Sequence, residues 1–190
     1  MSNFFLDLKS LYNHRIVYPK TLQIDEHIEI SETNDYIYVE LLPFDKVITN
    51  GRVQGVFRYN DLGRDNIICE SQVLPINNIS VKKITFIGFC CWGYFKENFI
   101  LECADGTKEK AKAYFSDVSS PLSSALESNY KTENRLFLDG SKIFCELKFK
   151  SNKRYMYYYT TEFEEAKTVA KIIFPDNYFM HVFAITTEDQ

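Results

Sequence analysis

An all-β chain, an antiparallel β-sandwich of jelly-roll type with room for one short helix, is what the sequence predicts, and three observations predict it. Alternating apolar and polar runs recur as roughly ten to thirteen candidate strands, at the 8 to 12 residue spacing of sandwiches and barrels. Phe, Tyr and Trp make up 16% of the 190 residues, and aromatic side chains suit the pleated, half-buried surface of a strand. Asn50-Gly51 and Asp105-Gly106 each stand between two such runs, where tight hairpins need positive φ.

Phe4 to Leu8 opens the chain, with Phe4, Leu6 and Leu8 on one side. Leu22, Ile24, Ile28 and Ile30 alternate with polar residues and are interrupted near His27, as in a half-buried strand or a bulged pair. Thr33-Asn34-Asp35 is a turn cluster, and Tyr36 to Leu42 is a strand that Pro43 stops. Asp45 to Thr49 and Val53 to Tyr59 flank Asn50-Gly51 as a hairpin. A polar loop from Asn60 leads to Ile67-Ile68-Cys69; Gln72 to Ile76 continues, and Asn77-Asn78 is expected to turn.

The stretch from Val81 to Pro121 follows. Ile84, Phe86, Ile87, Phe89, Cys90 and Cys91 are apolar on both faces, which predicts a central strand covered above and below. Phe99, Leu101 and Cys103 alternate before Asp105-Gly106 reverses the chain. Beyond it Lys108, Lys110 and Lys112 take the solvent face and Ala111, Ala113 and Phe115 the other. Ser119 to Tyr130 suits a short helix or a crossover, and Leu136 to Lys150 a hairpin around Asp139-Gly140. Tyr155 to Tyr159 is a strand. Thr161-Glu162-Phe163-Glu164 fits a capping box, so local propensity expects a helix over 162–171, although Thr168 to Phe174 also reads as a strand. Pro175-Asp176-Asn177 is a turn, and His181 to Thr187 a buried last strand.

Length and composition predict a single domain over 1–190: 45% of residues are hydrophobic and 25% charged, enough for a sizeable core. A net charge of −4 offers no field to a polyanion, so nucleic acid is not an expected partner. The N-terminal residues show no basic start followed by an apolar core, and no apolar run approaches membrane-spanning length. The expectation is a cytoplasmic protein without a membrane partner, in which the sequon Asn78-Ile79-Ser80 carries no meaning.

Cysteines at 69, 90, 91, 103 and 145 are odd in number, include an adjacent pair and form no CxxC, which predicts buried thiols, neither a zinc site nor a disulfide framework. His14, His27 and His181 lie far apart with no metal-ligand spacing, so neither metal nor cofactor is expected. His181, at the start of the last strand, is read as a hydrogen-bonded structural residue. No nucleophile elbow, P-loop or dinucleotide fingerprint is present. Cys90 and Cys91 sit in an apolar strand, where burial disfavours a thiolate, and read as core.

Binding chemistry is more legible. Trp92-Gly93-Tyr94-Phe95 follows a buried strand, so Trp92 and Tyr94 fall at a strand end, where rings can stack on the apolar face of a sugar. Asp65, Asn66 and Asp117 are candidate polar partners for its hydroxyls. The competing assignment has Trp92 plugging the end of the core and Asp65-Asn66 bonding its own backbone.

The order of several short motifs resembles bacterial jelly-roll modules often attached to glycoside hydrolases. Asp65-Asn66 with Gln72, Lys83-Ile84-Thr85-Phe86-Ile87-Gly88-Phe89, Trp92-Gly93, Ala104-Asp105-Gly106-Thr107, Phe115-Ser116-Asp117, Phe174-Pro175-Asp176-Asn177 and His181-Val182-Phe183-Ala184-Ile185-Thr186 are similar to stretches of such modules in the same order. The resemblance covers Asp65 to Thr187. Val118 replaces the Trp that follows Ser-Asp in the modules, and Cys91 stands where an acidic residue is common. The resemblance implies a β-sandwich associated with carbohydrate-active proteins. A non-catalytic carbohydrate-binding-like accessory module is therefore the leading expectation. A sugar-active hydrolase with paired carboxylates and a self-associating scaffold are the alternatives.

Overall fold

The computed structural model describes residues 3–18, 37–38, 42–51, 53–118, 142–149 and 152–189. Among them the strands run in chain order as β1 (Asn3–Phe5), β2 (Val17–Tyr18), β3 (Ile37–Tyr38), β4 (Val47–Asn50), β5 (Val53–Val56) and β6 (Ile67–Glu70). They continue as β7 (Val73–Cys90), β8 (Phe95–Cys103), β9 (Lys108–Phe115), β10 (Lys142–Phe149), β11 (Asn152–Ile173) and β12 (Asp176–Glu188). The fold is all-β and sandwich-like, and its main sheet is antiparallel. An eight-stranded sheet follows the order β1-β12-β7-β11-β8-β9, with β10 on β11 and β6 on β12. This order does not establish the jelly-roll connectivity expected from the sequence. No helix among the described residues is long and apolar enough to cross a membrane.

Because Ile84 to Cys90 is apolar on both faces, β7 takes the centre, with β12 on one edge and β11 on the other. The two longest strands change partners along their length. The first part of β11 lies between β10 and β7, and its last part, at Ile172, between Leu74 of β7 and Leu101 of β8. β12 starts on β6, continues on β7 and ends against β1, where Phe4 faces Thr187. Phe57, Phe86, Phe89, Phe99, Phe115 and Phe183 are fully buried in one core cluster, each worth about 2–3 kcal/mol in water-excluded surface. Phe86 stacks on Phe99 with ring centroids 4.1 Å apart.

Both hairpin signals are realised. β4 and β5 pair around Asn50-Gly51, and Gly51 has φ 60°. At the tip of β8–β9, Gly106 has φ 83° and the Asp105 carboxylate accepts from Thr107 N at 2.9 Å. Lys108, Lys110 and Lys112 are exposed while Ala111, Ala113 and Phe115 are buried.

Two local expectations are overturned. The short helix over 162–171 is strand: β11 runs unbroken through it, paired with β7 and then also with β8. An isolated ten-residue helix is marginal in water, whereas two neighbouring strands offer this backbone its hydrogen bonds. The capping-box glutamates fall where the β11–β7 register shifts, between Glu162 and Lys167, and 164–166 are exposed there. Asn77-Asn78 does not turn the chain either. It forms part of a bulge in β7, opposite the register shift between Val169 and Lys171, with Asn78 at φ 48°. The readings for Leu22 to Ile30, Thr33 to Asp35, Ser119 to Tyr130 and Asp139-Gly140 lie outside the described residues.

Candidate functional site

The end of β7 is fixed from both sides. Cys91 N donates to Phe179 O of β12 at 2.9 Å, while Cys90 N donates to Ser116 O and Val118 N donates to Cys90 O, both at 2.9 Å. The chain then bends sharply, with Trp92 at φ 63° and Gly93 at φ 139°. Gly93 N donates to Asp117 Oδ2 at 3.1 Å, which ties the turn to the segment after β9. Trp92 is 69% exposed. It is not a plug for the core.

Other rings belong to the residues that hold this turn. Phe179, bonded through its carbonyl to Cys91, stacks on Phe95 with centroids 5.6 Å apart and planes 12° apart. Tyr178 meets Phe179 edge-on at 6.1 Å, and both are exposed. Tyr94 is half-buried in the same turn. Asn177 Nδ2 donates to Glu97 Oε1 at 2.7 Å, so an amide and two carboxylates, Glu97 and Asp117, accompany the rings. Aromatic faces flanked by planar polar groups are the surface chemistry that holds a sugar ring: stacking on its C–H face and hydrogen bonds to its hydroxyls.

Asp65 and Asn66 do a different job. Both are buried. Asn13 and His14 N donate to Asn66 O and Asp65 N donates to His14 O, so the N-terminal segment lies against residues 65 and 66. The Asp65 carboxylate accepts from Val17 N at 2.9 Å and Ile16 N at 3.2 Å. Asn66 Nδ2 donates to Asp65 Oδ1 at 2.7 Å and contacts His14 Nδ1 at 3.2 Å, and its Oδ1 lies 2.9 Å from His181 Nδ1. Burial pushes Asp65 up to about 7, and the Asn66, Val17 and Ile16 donors oppose the rise. Burial lowers His181 to about 3, with His14 nearby acting in the same direction. Burial also lowers His14, against the effect of its Asn66 contact.

The far side of His181 faces a thiol: its Nε2 lies 3.6 Å from Cys91 Sγ. Phe89 stacks on its ring at 5.0 Å, and the His14 ring meets it edge-on at 5.2 Å. Gly88 makes this approach possible, because a Cβ there would stand 2.0 Å from His181 O.

Of the residues singled out in the sequence, the structure brings Trp92, Tyr94 and Asp117 into one rim. Asp65 and Asn66 are placed in an internal polar cluster. The reading of His181 as a hydrogen-bonded buried residue agrees with its place in that cluster. What sequence reasoning missed is the convergence of Cys91, His181, Asn66 and His14. Cys91 is 90 positions from His181, and His181 is 115 from Asn66, so no local spacing records it. No protein-family model matches the chain, and a search of curated proteins finds no match to it.

Proposed function

We propose that the protein is a carbohydrate-binding accessory module of jelly-roll type, and that its ligand stacks, without being chemically altered, on the rim formed by Trp92, Tyr178 and Phe179. The observation that carries this reading is the exposure of Trp92 on a turn that is tied down at Cys91 and Gly93. The motif order from Asp65 to Thr187 supports the carbohydrate class. Asp117 and Glu97 supply acceptors beside the rings, which favours hydroxyl-rich neutral sugars over acidic ones.

A glycan array probed with the wild-type chain and with Trp92→Ala tests the proposal. Retention of neutral glycans by the wild type and its loss in the variant is expected. An empty array, or hits that survive in Trp92→Ala, contradicts it. Self-association through the same rim would instead appear as a concentration-dependent dimer in sedimentation that Trp92→Ala abolishes.

A further inference from the structure

We propose that Cys91, His181 and Asn66 form a nucleophile, base and orienting group for acyl transfer, taking an ester or thioester as acyl donor and water as acceptor. The three belong to separate parts of the chain: the residue just after β7, β12, and the residue just before β6. Their polarity follows from one fixed point. The His14 carbonyl, which can only accept, lies 3.5 Å from one side of the Asn66 amide, and the ionised Asp65 Oδ1 accepts on that same side at 2.7 Å, so that side is the NH2. The opposite atom, Oδ1, therefore faces His181 Nδ1 at 2.9 Å and makes it the protonated nitrogen. Nε2 then bears the lone pair, and it is Nε2 that faces Cys91 Sγ at 3.6 Å. A thiol, an unprotonated imidazole nitrogen and an amide that fixes the tautomer are the parts of an activated nucleophile.

The cycle closes without another reagent. Sγ bonds to the acyl carbon as the S–H proton passes to Nε2; the bond to the leaving oxygen or sulfur breaks, and the proton departs with the alcohol or thiol. Water then adds to the acyl carbon and gives a proton to Nε2. The Cys91 thioester bond breaks, the proton returns to Sγ, and a carboxylic acid leaves. Burial makes His181 a weak base, so it assists attack on a reactive ester or thioester more readily than on an amide.

Cys91 and His181 are 4% and 3% exposed. An acyl donor would reach them at the turn Trp92-Gly93-Tyr94, which directly follows Cys91 and where Trp92 is 69% exposed. Cys103, at 6% exposure, is the internal comparison: it is a thiol of similar accessibility that ends β8 and pairs with Val169.

The test treats the full chain with p-nitrophenyl acetate and maps the acetyl group by mass spectrometry. Expected is one acetyl on Cys91, lost slowly to water, absent in Cys91→Ala and formed at least about 100-fold more slowly in His181→Gln. Acetylation of Cys103 in preference to Cys91, equal labelling of the fully buried Cys69 and Cys90, or an unchanged rate in His181→Gln overturns the proposal. Should His181→Gln fail to fold, imidazole nitrogen NMR of the wild type decides. The Nδ1-protonated tautomer of His181, converted to a mixture in Asn66→Ala, is the expected signature; an Nε2-protonated His181 overturns it.

Discussion

Trp92 is an expensive residue in the place where it stands. A bulky side chain at φ 63° carries a backbone penalty of about 1–2 kcal/mol that glycine would not, and 69% exposure returns little hydrophobic stabilisation for it. Trp92→Gly should therefore raise stability by about 1 kcal/mol in urea denaturation while removing ligand binding. A variant that loses stability would mean that the indole packs more than its exposure implies. The internal cluster makes its own prediction with pH. In an unfolded chain Asp65 titrates near about 4 and His181 near about 6.5. Folded, they titrate at about 7 and about 3. Between about pH 4 and 6.5 the folded Asp65 holds a proton that the unfolded chain releases, so its contribution falls as pH rises. His181 does the reverse: its unfolded form takes up a proton that the folded form refuses, so its contribution is lost as pH falls. The two slopes oppose each other across that window, with His14 on the side of His181. In Asp65→Asn only the histidine slopes remain, and stability should fall more steeply on acidification, by about 1.4 kcal/mol per pH unit for the released proton. Urea titrations at several pH values check this, and an unchanged slope contradicts it.

Strands set the geometry that these residues use, and two glycines show how differently they do so. Gly88 of β7 pairs with Val182 of β12, and a methyl group there would meet His181 O at 2.0 Å and the Phe115 ring at 2.8 Å. Gly88→Ala should cost about 3 kcal/mol and displace His181 from Cys91, because the obstacle is backbone and cannot rotate away. Gly106, at φ 83° with nothing within 4 Å of its missing Cβ, should lose only about 1 kcal/mol on substitution by Ala, a purely conformational cost. Denaturation of the two variants side by side separates clash from strain, and equal losses would contradict the assignment. β11 teaches the complementary lesson about reading elements. Its capping-box pattern is a real local preference for helix, but the partners that overrule it, β7 from 73 to 88 and β8 from 100 to 103, lie far away in sequence. Where the pattern itself encoded partnership, as in the two-faced apolar run Ile84 to Cys90 or the lysine alternation of β9, the strand was legible.

Taken whole, the molecule was readable in class and only partly in its sites. Turn chemistry at Asn50-Gly51 and Asp105-Gly106 and the central strand were available from residue types alone, since they depend on neighbours in sequence. The strand order was not, because β12 and β11 reach β7 across 69 to 105 residues and no periodicity specifies which edge each takes. Trp92 could be placed at a strand end, but its exposure depends on Asp117 and Phe179 fixing the turn around it. The grouping of His14, Asn66, Cys91 and His181 left no local trace. The most direct test of the ligand rim uses the fact that Trp92 is the only tryptophan, so indole fluorescence reports on that rim alone. The free protein should emit at the long wavelength of a water-exposed indole, and titration with neutral oligosaccharides should shift the emission to the blue and saturate. Emission typical of a buried indole, or a spectrum that no oligosaccharide moves, would contradict the account.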